Sequence, residues 1–380
     1  MFLDLGKQPL ANKYPKQEDF VHEDFFPEQV FFCTNCRNVQ LGTIISRERM
    51  FEDYYYLSSV NQGLVRHFNS LAGKLKDSKF VLDVGSNDGI LLRPLKELGV
   101  KFLGVDPSVN VSKIANDAGL TTITAFFDAE SANEVRTKYG NPDVIVASSI
   151  FTHLEDPHLF MNAVKEILTE DGKFIIEVEY IGNIIRDVQF ERFYLDRIFY
   201  YSLSSLAKLA ELHEMYIQDV EMIEPHGGSL QVTFIRAGQG AAPTDRVANM
   251  LNEEAKNLSL PKLLEFKNVV DESVGAFKDM LIALKDSGVK VAGYGCPARV
   301  TTITNYGDIG PDLVEFIVDD SPLKQNKFSP GKHIPIVPNA YLADHKPELL
   351  VVFAFEYIDD IRKKTDNAYR YLIPIPPREV

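Results

Sequence analysis

Apolar and polar positions along this chain fall into blocks whose period switches in a repeating order. Phe80, Val81 and Leu82 form an apolar, β-prone run that ends in Asp83. A turn of Gly85, Ser86, Asn87, Asp88 and Gly89 follows, and the pattern then becomes helical. The switch recurs: KFLGVDPS is a second strand, VSKIANDAG a helix, PDVIVASS a strand, HLFMNAVKEILTEDG a helix and KFIIEVEY a further strand. Strands alternating with helices predict an α/β fold with a doubly wound, mostly parallel sheet. A boundary falls at residues 238–243. Residues 244–287 read as a charged connecting helix with apolar Leu263, Phe266, Val270, Val274, Phe277 and Leu281 on one side. A second α/β unit begins with VKVAGYG and continues through DLVEFIVDDS and ELLVVFAFEY.

The remaining stretches are less periodic. Residues 1–47 scatter prolines, aromatics and acids with no sustained period, which predicts an irregular arm or small subdomain. Residues 50–77 read as helical with an aromatic start that includes Tyr54 and Tyr56. The run QFERFYLDRIFYYSLSSL, with Tyr194, Asp196 and Arg197, suits either a substrate lid or an amphipathic core helix. Pro225, His226, Gly227, Gly228 and Ser229 open a strand through a turn that either reverses the chain or approaches a ligand. The expected division is an N-terminal arm at 1–50, a cofactor domain at 51–238, a helical connector at 239–287 and a Rossmann-like substrate domain at 288–380.

With 380 residues, more than one core is expected. A net charge of -14 argues against nucleic-acid backbones as partners, because those require a cationic face. No apolar run has the length of a membrane helix, and the N-terminus lacks a cationic-then-apolar signal, so a cytoplasmic protein is expected. Three cysteines do not make a disulfide framework. Cys33 and Cys36 stand at C-x-x-C spacing, which supplies half of a four-ligand zinc site. Cys296 lies far away in another expected domain.

The opening turn carries the chemistry. Strand, tight turn and helix in that order present backbone N–H groups to a small ligand. The spacing D-x-G-x-N-x-G, from Asp83 to Gly89, lacks the second glycine of a dinucleotide turn and suits S-adenosylmethionine instead. Asn87 supplies positive φ in that glycine's absence. Asp106 ends the second strand, where an acid can accept both ribose hydroxyls. Pro107, Ser148 and Ser149 end strands on the same edge and complete the expected cofactor set. His153 lies at that edge as a side chain able to move a proton near neutral pH. Glu177 and Tyr180 end the next strand there. In the second unit, Tyr294, Arg299, Lys324, Lys332 and His333 are expected around the phosphate-bearing part of a substrate, joined by His226, Gly228 and Ser229. Its G-x-G-x-x-A turn contains Pro297, which argues against nicotinamide binding.

In order along the chain, FLDLGKQPLANKY, CTNC-x-x-VQL, YYYLSS, LDVGSNDG, SSIFTHLED, HGGSLQ, GYGCPARVTT and VDDSPLKQNKFSPGKHIPI resemble the nucleotide-sugar C-methyltransferases of deoxysugar biosynthesis. The resemblance implies a zinc-binding N-terminal domain, a central S-adenosylmethionine domain and a Rossmann-like C-terminal domain. It implies methylation of carbon 3 of a dTDP-4-keto-deoxysugar held between the last two, in a monomer or homodimer. The family's base is the last histidine of a Tyr-His-Glu-His segment, and the matching run here is Tyr194-Leu195-Asp196-Arg197. Arginine stays protonated and cannot serve. By resemblance His153 then takes the proton, with Tyr54 or Tyr56 and Tyr194 orienting the sugar. The alternatives are that Arg197 and Asp196 recognise a carboxylate or phosphate while oxygen or nitrogen is methylated, or that the chain is a non-catalytic homologue. The family's first C-x-x-C would fall just before FLDLG, so a zinc site is expected to be truncated or degenerate.

Overall fold

The computed structural model describes residues 1–46 and 57–380; Tyr54 and Tyr56 lie outside the described residues. Among the described residues the strands form three sheets. Strands β1 (Leu3–Pro9), β2 (Phe25–Phe32) and β3 (Val39–Leu41) make an N-terminal antiparallel sheet. The centre contains β4 (Phe80–Val84), β5 (Lys101–Asp106), β6 (Thr122–Thr124), β7 (Val144–Ser148) and β8 (Lys173–Glu179). Strand β9 (Phe199–Tyr200) leaves the centre to become the fourth strand of the N-terminal sheet, beside β3. Strands β10 (Met215–Ile223) and β11 (Ser229–Arg236) return to the central sheet. Its order is β10-β11-β8-β7-β4-β5-β6, parallel from β6 to β8, with β11 antiparallel to β8. This is the class I methyltransferase topology. The strands are buried on both faces, which explains why they read as continuous apolar runs.

The C-terminal unit contains β12 (Val291–Tyr294), β13 (Ile317–Val318), β14 (Ile336–Val337), β15 (Leu349–Val352), β16 (Arg370–Ile373) and β17 (Arg378–Glu379). Its order is β14-β13-β12-β15-β16-β17, parallel up to β16, which is Rossmann-like. The two α/β units share atomic detail at their first turns. Gly85 at φ 77° and Gly295 at φ 79° each donate N–H to a valine carbonyl at 2.7 Å, that of Val105 and of Val318. The next residue in each second strand's wake is an aspartate, Asp106 or Asp319. Each spends one carboxylate oxygen on a turn N–H, from Asn87 (2.9 Å) or Cys296 (2.7 Å). Each spends the other on a serine N–H two residues on, Ser108 or Ser321, both at 2.9 Å. In both units the fourth strand runs into a short 3₁₀ turn, Phe151–His153 or Phe355–Tyr357.

Three expectations are corrected and one helix is added. The N-terminal residues form a sheet: Gly6 at φ 74° sits in a register shift of β1 between Asp4 and Lys7, and that irregularity erases the period-two signal. The aromatic run at 190–201 is neither lid nor helix. It is a 3₁₀ turn, Phe190–Arg192, and an extended segment with Phe190 and Phe193 fully buried. The connector is two helices, Asp245–Asn257 and Leu260–Asp286, broken where Pro261 enters the first turn of the second. The first lies against the central core through Val247, and the second joins the C-terminal core. A helix that the pattern did not reveal, Ala129–Tyr139, is mostly polar and is fixed by the Asp128 cap.

One core runs from Phe2, Leu3 and Leu5 through Phe190, Phe193 and Tyr200 into Phe266 and the C-terminal strands. Phe193 is its crossing point, with ring contacts to Phe2, Tyr200 and Phe266. Replacing Phe193 with Ala is expected to cost about 3–5 kcal/mol, read as a lowered urea midpoint; a loss under about 1 kcal/mol would mean this crossing carries little of the packing.

Candidate active site

The cofactor turn is built by the strand-end geometry just described. Asn87 holds φ 49°, which its short polar side chain tolerates, and Gly89 holds φ 83°. A Cβ at Gly85 would stand 2.4 Å from the Ile150 side chain, so the position requires glycine by contact as well as by φ. The turn is braced from outside by the chain that follows the undescribed stretch: Ser58 N–H donates to Asn87 Oδ1 at 3.0 Å, and Ser59 donates to Asp88 Oδ2. Ser86 Oγ is buried with no hydrogen-bond partner among the described residues. Ser148 is half-buried at the end of β7, and Ser149, at φ 60°, donates N–H to the Glu177 carbonyl at 2.9 Å.

Under the turn lies an acidic cluster. Burial, with Asp106 and Glu177 nearby, pushes the Asp83 carboxyl up to about 8. Burial also raises Asp106, against the pull of its Ser108 and Asn87 N–H bonds. Glu177 is buried too, yet its pKa is lowered, because His67 Nε2 at 2.7 Å and Gln231 Nε2 at 2.7 Å outweigh that burial.

The 3₁₀ turn Phe151–His153 is clamped to the segment before β9. Ile198 N–H donates to the Thr152 carbonyl at 2.9 Å, and the Asp196 carbonyl bonds His153 Nδ1. A carbonyl only accepts, so Nδ1 carries a proton in this bond. The Asp196 carboxylate takes a bond from Asn12 at 2.6 Å.

Beside this clamp is a ladder of guanidinium and carboxylate groups. Glu179 accepts from Arg197 and, at 3.3 Å, from Arg192; Glu356 accepts from Arg192 at 2.9 Å and from Arg299. The Arg197 guanidinium lies 4.8 Å over the Tyr194 ring, and burial raises the Tyr194 phenol well above its ordinary value. Glu191 sits buried near Arg299 and Arg192, and burial lifts its carboxyl to about 7. The 225–228 turn walls the ladder: a Cβ on Gly227, at φ 77°, would stand 2.5 Å from Arg192 Nη2. Gly228, at φ 110°, offers its carbonyl to Asn183 at 3.4 Å, and Ser229 Oγ donates to the Pro225 carbonyl at 2.9 Å. His226 belongs to the same turn.

Other expected substrate residues lie elsewhere. The Tyr180 phenol is raised by burial and by the carboxylate of Glu254, a residue of the connector helix Asp245–Asn257 that accepts from the first N–H groups of the helix Leu203–Leu212. Tyr294 reaches Asp320 at 3.5 Å. Lys324 donates to the Cys296 carbonyl at 2.9 Å, and Tyr14 donates to the same carbonyl at 2.8 Å, so the chain's own groups fill the C-terminal turn. Lys332 pairs with Asp308 at 2.6 Å, while His333 pairs with Glu23 at 2.8 Å and stacks on Phe20. Of that set only Arg299 joins the ladder. Arg192, Glu191 and Glu356 are the members that sequence reasoning missed; a charge at an irregular turn has no period to reveal it.

Comparison with known proteins places this arrangement. Family models match in the same order: a "putative zinc binding domain" at residues 1–51, a methyltransferase domain at 48–217 and a C-methyltransferase C-terminal domain at 224–376. The C-methyltransferase NovU of Streptomyces niveus is 30% identical over 391 aligned positions, covering 100% of this chain and 93% of NovU. The chain belongs to the C-methyltransferase family. It is an S-adenosylmethionine-dependent methyltransferase. A ubiquinone biosynthesis O-methyltransferase of Azorhizobium caulinodans is 30% identical over 126 residues, 32% of this chain and 49% of its own. Among solved structures, the magnesium protoporphyrin IX methyltransferase of Synechocystis PCC 6803 covers 50% of this chain and 93% of its own at 15% identity, with a TM-score of 0.38.

The turn of this methyltransferase fits an adenosyl ligand. Positive φ at Gly85, Asn87 and Gly89 gives the tight strand-to-helix turn such a ligand needs, and the buried Ser86 hydroxyl has no partner among the described residues. Zinc fits less well. Among the described residues no three His, Cys, Asp or Glu side chains gather as a metal cage. Backbone N–H groups of Cys36 and Asn35 lower the Cys33 thiol, and burial raises Cys36, but two thiols do not close a tetrahedral site.

The acidic cluster has a pH signature. The Asp83 carboxyl titrates near 8 in the folded chain and near 3.8 when unfolded. The folded protein therefore retains a proton across that window, and stability falls as pH rises through it. Asp83→Asn is expected to flatten this dependence, gaining on the order of 4 kcal/mol relative to wild type between pH 5 and pH 8 in urea titrations. Parallel slopes for the two proteins would show that Asp83 ionises as an ordinary carboxylate.

Proposed function

We propose that the acceptor is a nucleotide-linked keto sugar, methylated on the carbon beside its ketone, with His153 as the base. The observation that carries the reading is the place of His153 on the 3₁₀ turn beyond β7, at the carboxyl edge of the central sheet, with the ring held through Nδ1 by the Asp196 carbonyl. A carbon next to a ketone acquires nucleophilic character when its proton is removed and the negative charge spreads onto the ketone oxygen. S-adenosylmethionine supplies an electrophilic methyl group when bound. His153 Nε2 accepts the proton, and the Asp196 carbonyl holds the ring at one angle while the imidazolium forms. The turn from Asp83 to Gly89, with Asp106, would hold that donor, and the carbon activated by His153 would be the acceptor of its methyl group.

Arg197 occupies the position of the family's histidine. Its guanidinium is committed to Glu179 and the Tyr194 ring, so its part is to fix those two groups. With Arg197 and Asp196 so engaged, the carbon-methylation reading is preferred over one in which they grip a carboxylate acceptor. Arg299 and Arg192, in the wall shared with the C-terminal unit, suit the diphosphate of the nucleotide. Tyr194 lines the region between.

Incubation of a panel of dTDP-4-keto sugars with enzyme in D₂O reads the first step directly. His153→Gln is expected to slow exchange at the carbon beside the ketone by about 10²–10⁴-fold, with S-adenosylhomocysteine affinity retained. Exchange at the wild-type rate would remove His153 from this role. A panel that shows neither exchange nor methyl transfer with the wild-type enzyme would reject the keto-sugar acceptor.

A further inference from the structure

Glu356 holds an unusual place in the ladder. It lies on the 3₁₀ turn Phe355–Tyr357, directly beyond β15, at the carboxyl edge of the C-terminal parallel sheet. Open α/β sheets bind ligands at that edge. Its two oxygens are divided between two guanidiniums: Oε1 accepts from Arg192 at 2.9 Å and Oε2 accepts from Arg299. The arginine side chains are sunk, with 10% and 13% of their surface exposed, while the Glu356 side chain keeps 32%. The carboxylate thus meets the pair from the solvent side, as a bound anion would.

The pair also has capacity that Glu356 does not use. Arg299 Nη1 is buried with no hydrogen-bond partner among the described residues. A carboxylate offers two oxygens, whereas a diphosphate offers several to the same two forks. Charge leads to the same conclusion. Arg192, Arg197 and Arg299 face Glu179 and Glu356, and a third acid, Glu191, is buried with neither oxygen hydrogen-bonded among the described residues. With Glu356 swung outward, the site would hold an excess of positive charge walled by the Gly227 backbone.

We propose that Glu356 is an internal stand-in for an anionic ligand, competing with a diphosphate for the Arg192–Arg299 pair. A diphosphate entering from solvent displaces the carboxylate, fills the unused Arg299 donor and bridges the central and C-terminal units through the same two guanidiniums. The competition selects for ligands with more than one anionic group, because a single carboxylate only replaces what Glu356 already supplies. This deepens the proposed function and rests on an acceptor that carries a diphosphate.

Calorimetric titration of the full chain with inorganic pyrophosphate tests it without the sugar. Glu356→Gln keeps the shape and removes the charge, and should tighten pyrophosphate binding about tenfold. Adding Arg299→Ala to that variant should abolish the gain. Glu348→Gln, at an exposed glutamate away from the pair, should leave the affinity unchanged. Should Glu356→Gln fail to fold, Glu356→Asp, one methylene too short to span both arginines, is expected to tighten binding by a smaller factor. Unchanged affinity in the folded Glu356 variant, or an equal gain from Glu348→Gln, overturns the proposal. The readings separate: tightening without methyl transfer to any nucleotide sugar removes the acceptor assignment alone, and methyl transfer without tightening removes the role of Glu356 alone.

Discussion

Arg197, Glu179, Arg192, Glu356 and Arg299 form a chain of buried or half-buried charges in which every carboxylate is shared by two guanidiniums. Bringing such charges out of water costs several kcal/mol per ion, and stranding one without its partner costs about 3–5 kcal/mol. The segment that carries Arg192 and Arg197 therefore cannot slide or rotate without leaving a buried charge unpaired. Its position fixes the Asp196 carbonyl, and that carbonyl in turn sets the tautomer and angle of His153. The geometry around His153 is thus inherited from an ion ladder that touches the C-terminal unit at its far end.

The same segment is a structural crossroads. Tyr200 pairs with Val39 in the N-terminal sheet, Phe193 enters the shared core, and the Phe193 carbonyl accepts from Thr302 Oγ1 at 2.9 Å on the helix Arg299–Tyr306. The N-terminal residues reach the same place from the other side, where Tyr14 closes the Cys296 turn and Asn12 holds Asp196. Three stretches distant in sequence converge on about a dozen residues of irregular backbone. Irregular backbone can aim side chains at angles that a regular helix or strand does not offer.

The two α/β units divide the work on one shared plan. Each has a positive-φ glycine, an aspartate that ties the turn to the second strand, and a 3₁₀ turn beyond the fourth strand. In the central unit that last turn carries His153, and in the C-terminal unit it carries Glu356. The first turn leaves the Ser86 hydroxyl without a partner among the described residues, while the second is occupied by Lys324 and Tyr14. One plan thus gives a turn with a spare hydroxyl in the first unit and, in the second, a wall that offers arginines.

The sequence by itself determined the elements whose residues act locally. Apolar runs buried on both sheet faces announced the strands, and the spacing from Asp83 to Gly89, with Asp106 behind it, announced a tight strand-to-helix turn, because φ requirements and strand ends are written in consecutive residues. The ordered motifs likewise identified the family. Only the tertiary structure decided which charges meet. Glu356 and Arg192 are separated by more than 160 positions and follow no period, so nothing in the chain's local pattern pairs them. The N-terminal sheet was illegible for a related reason: its alternation is broken at Gly6, and its fourth strand is supplied from residues 199–200. Lys332 and His333 looked available for a phosphate, but packing gave them to Asp308 and Glu23. Local sequence specifies a side chain's chemistry and its backbone state; its partner is set by which surfaces the whole core brings together.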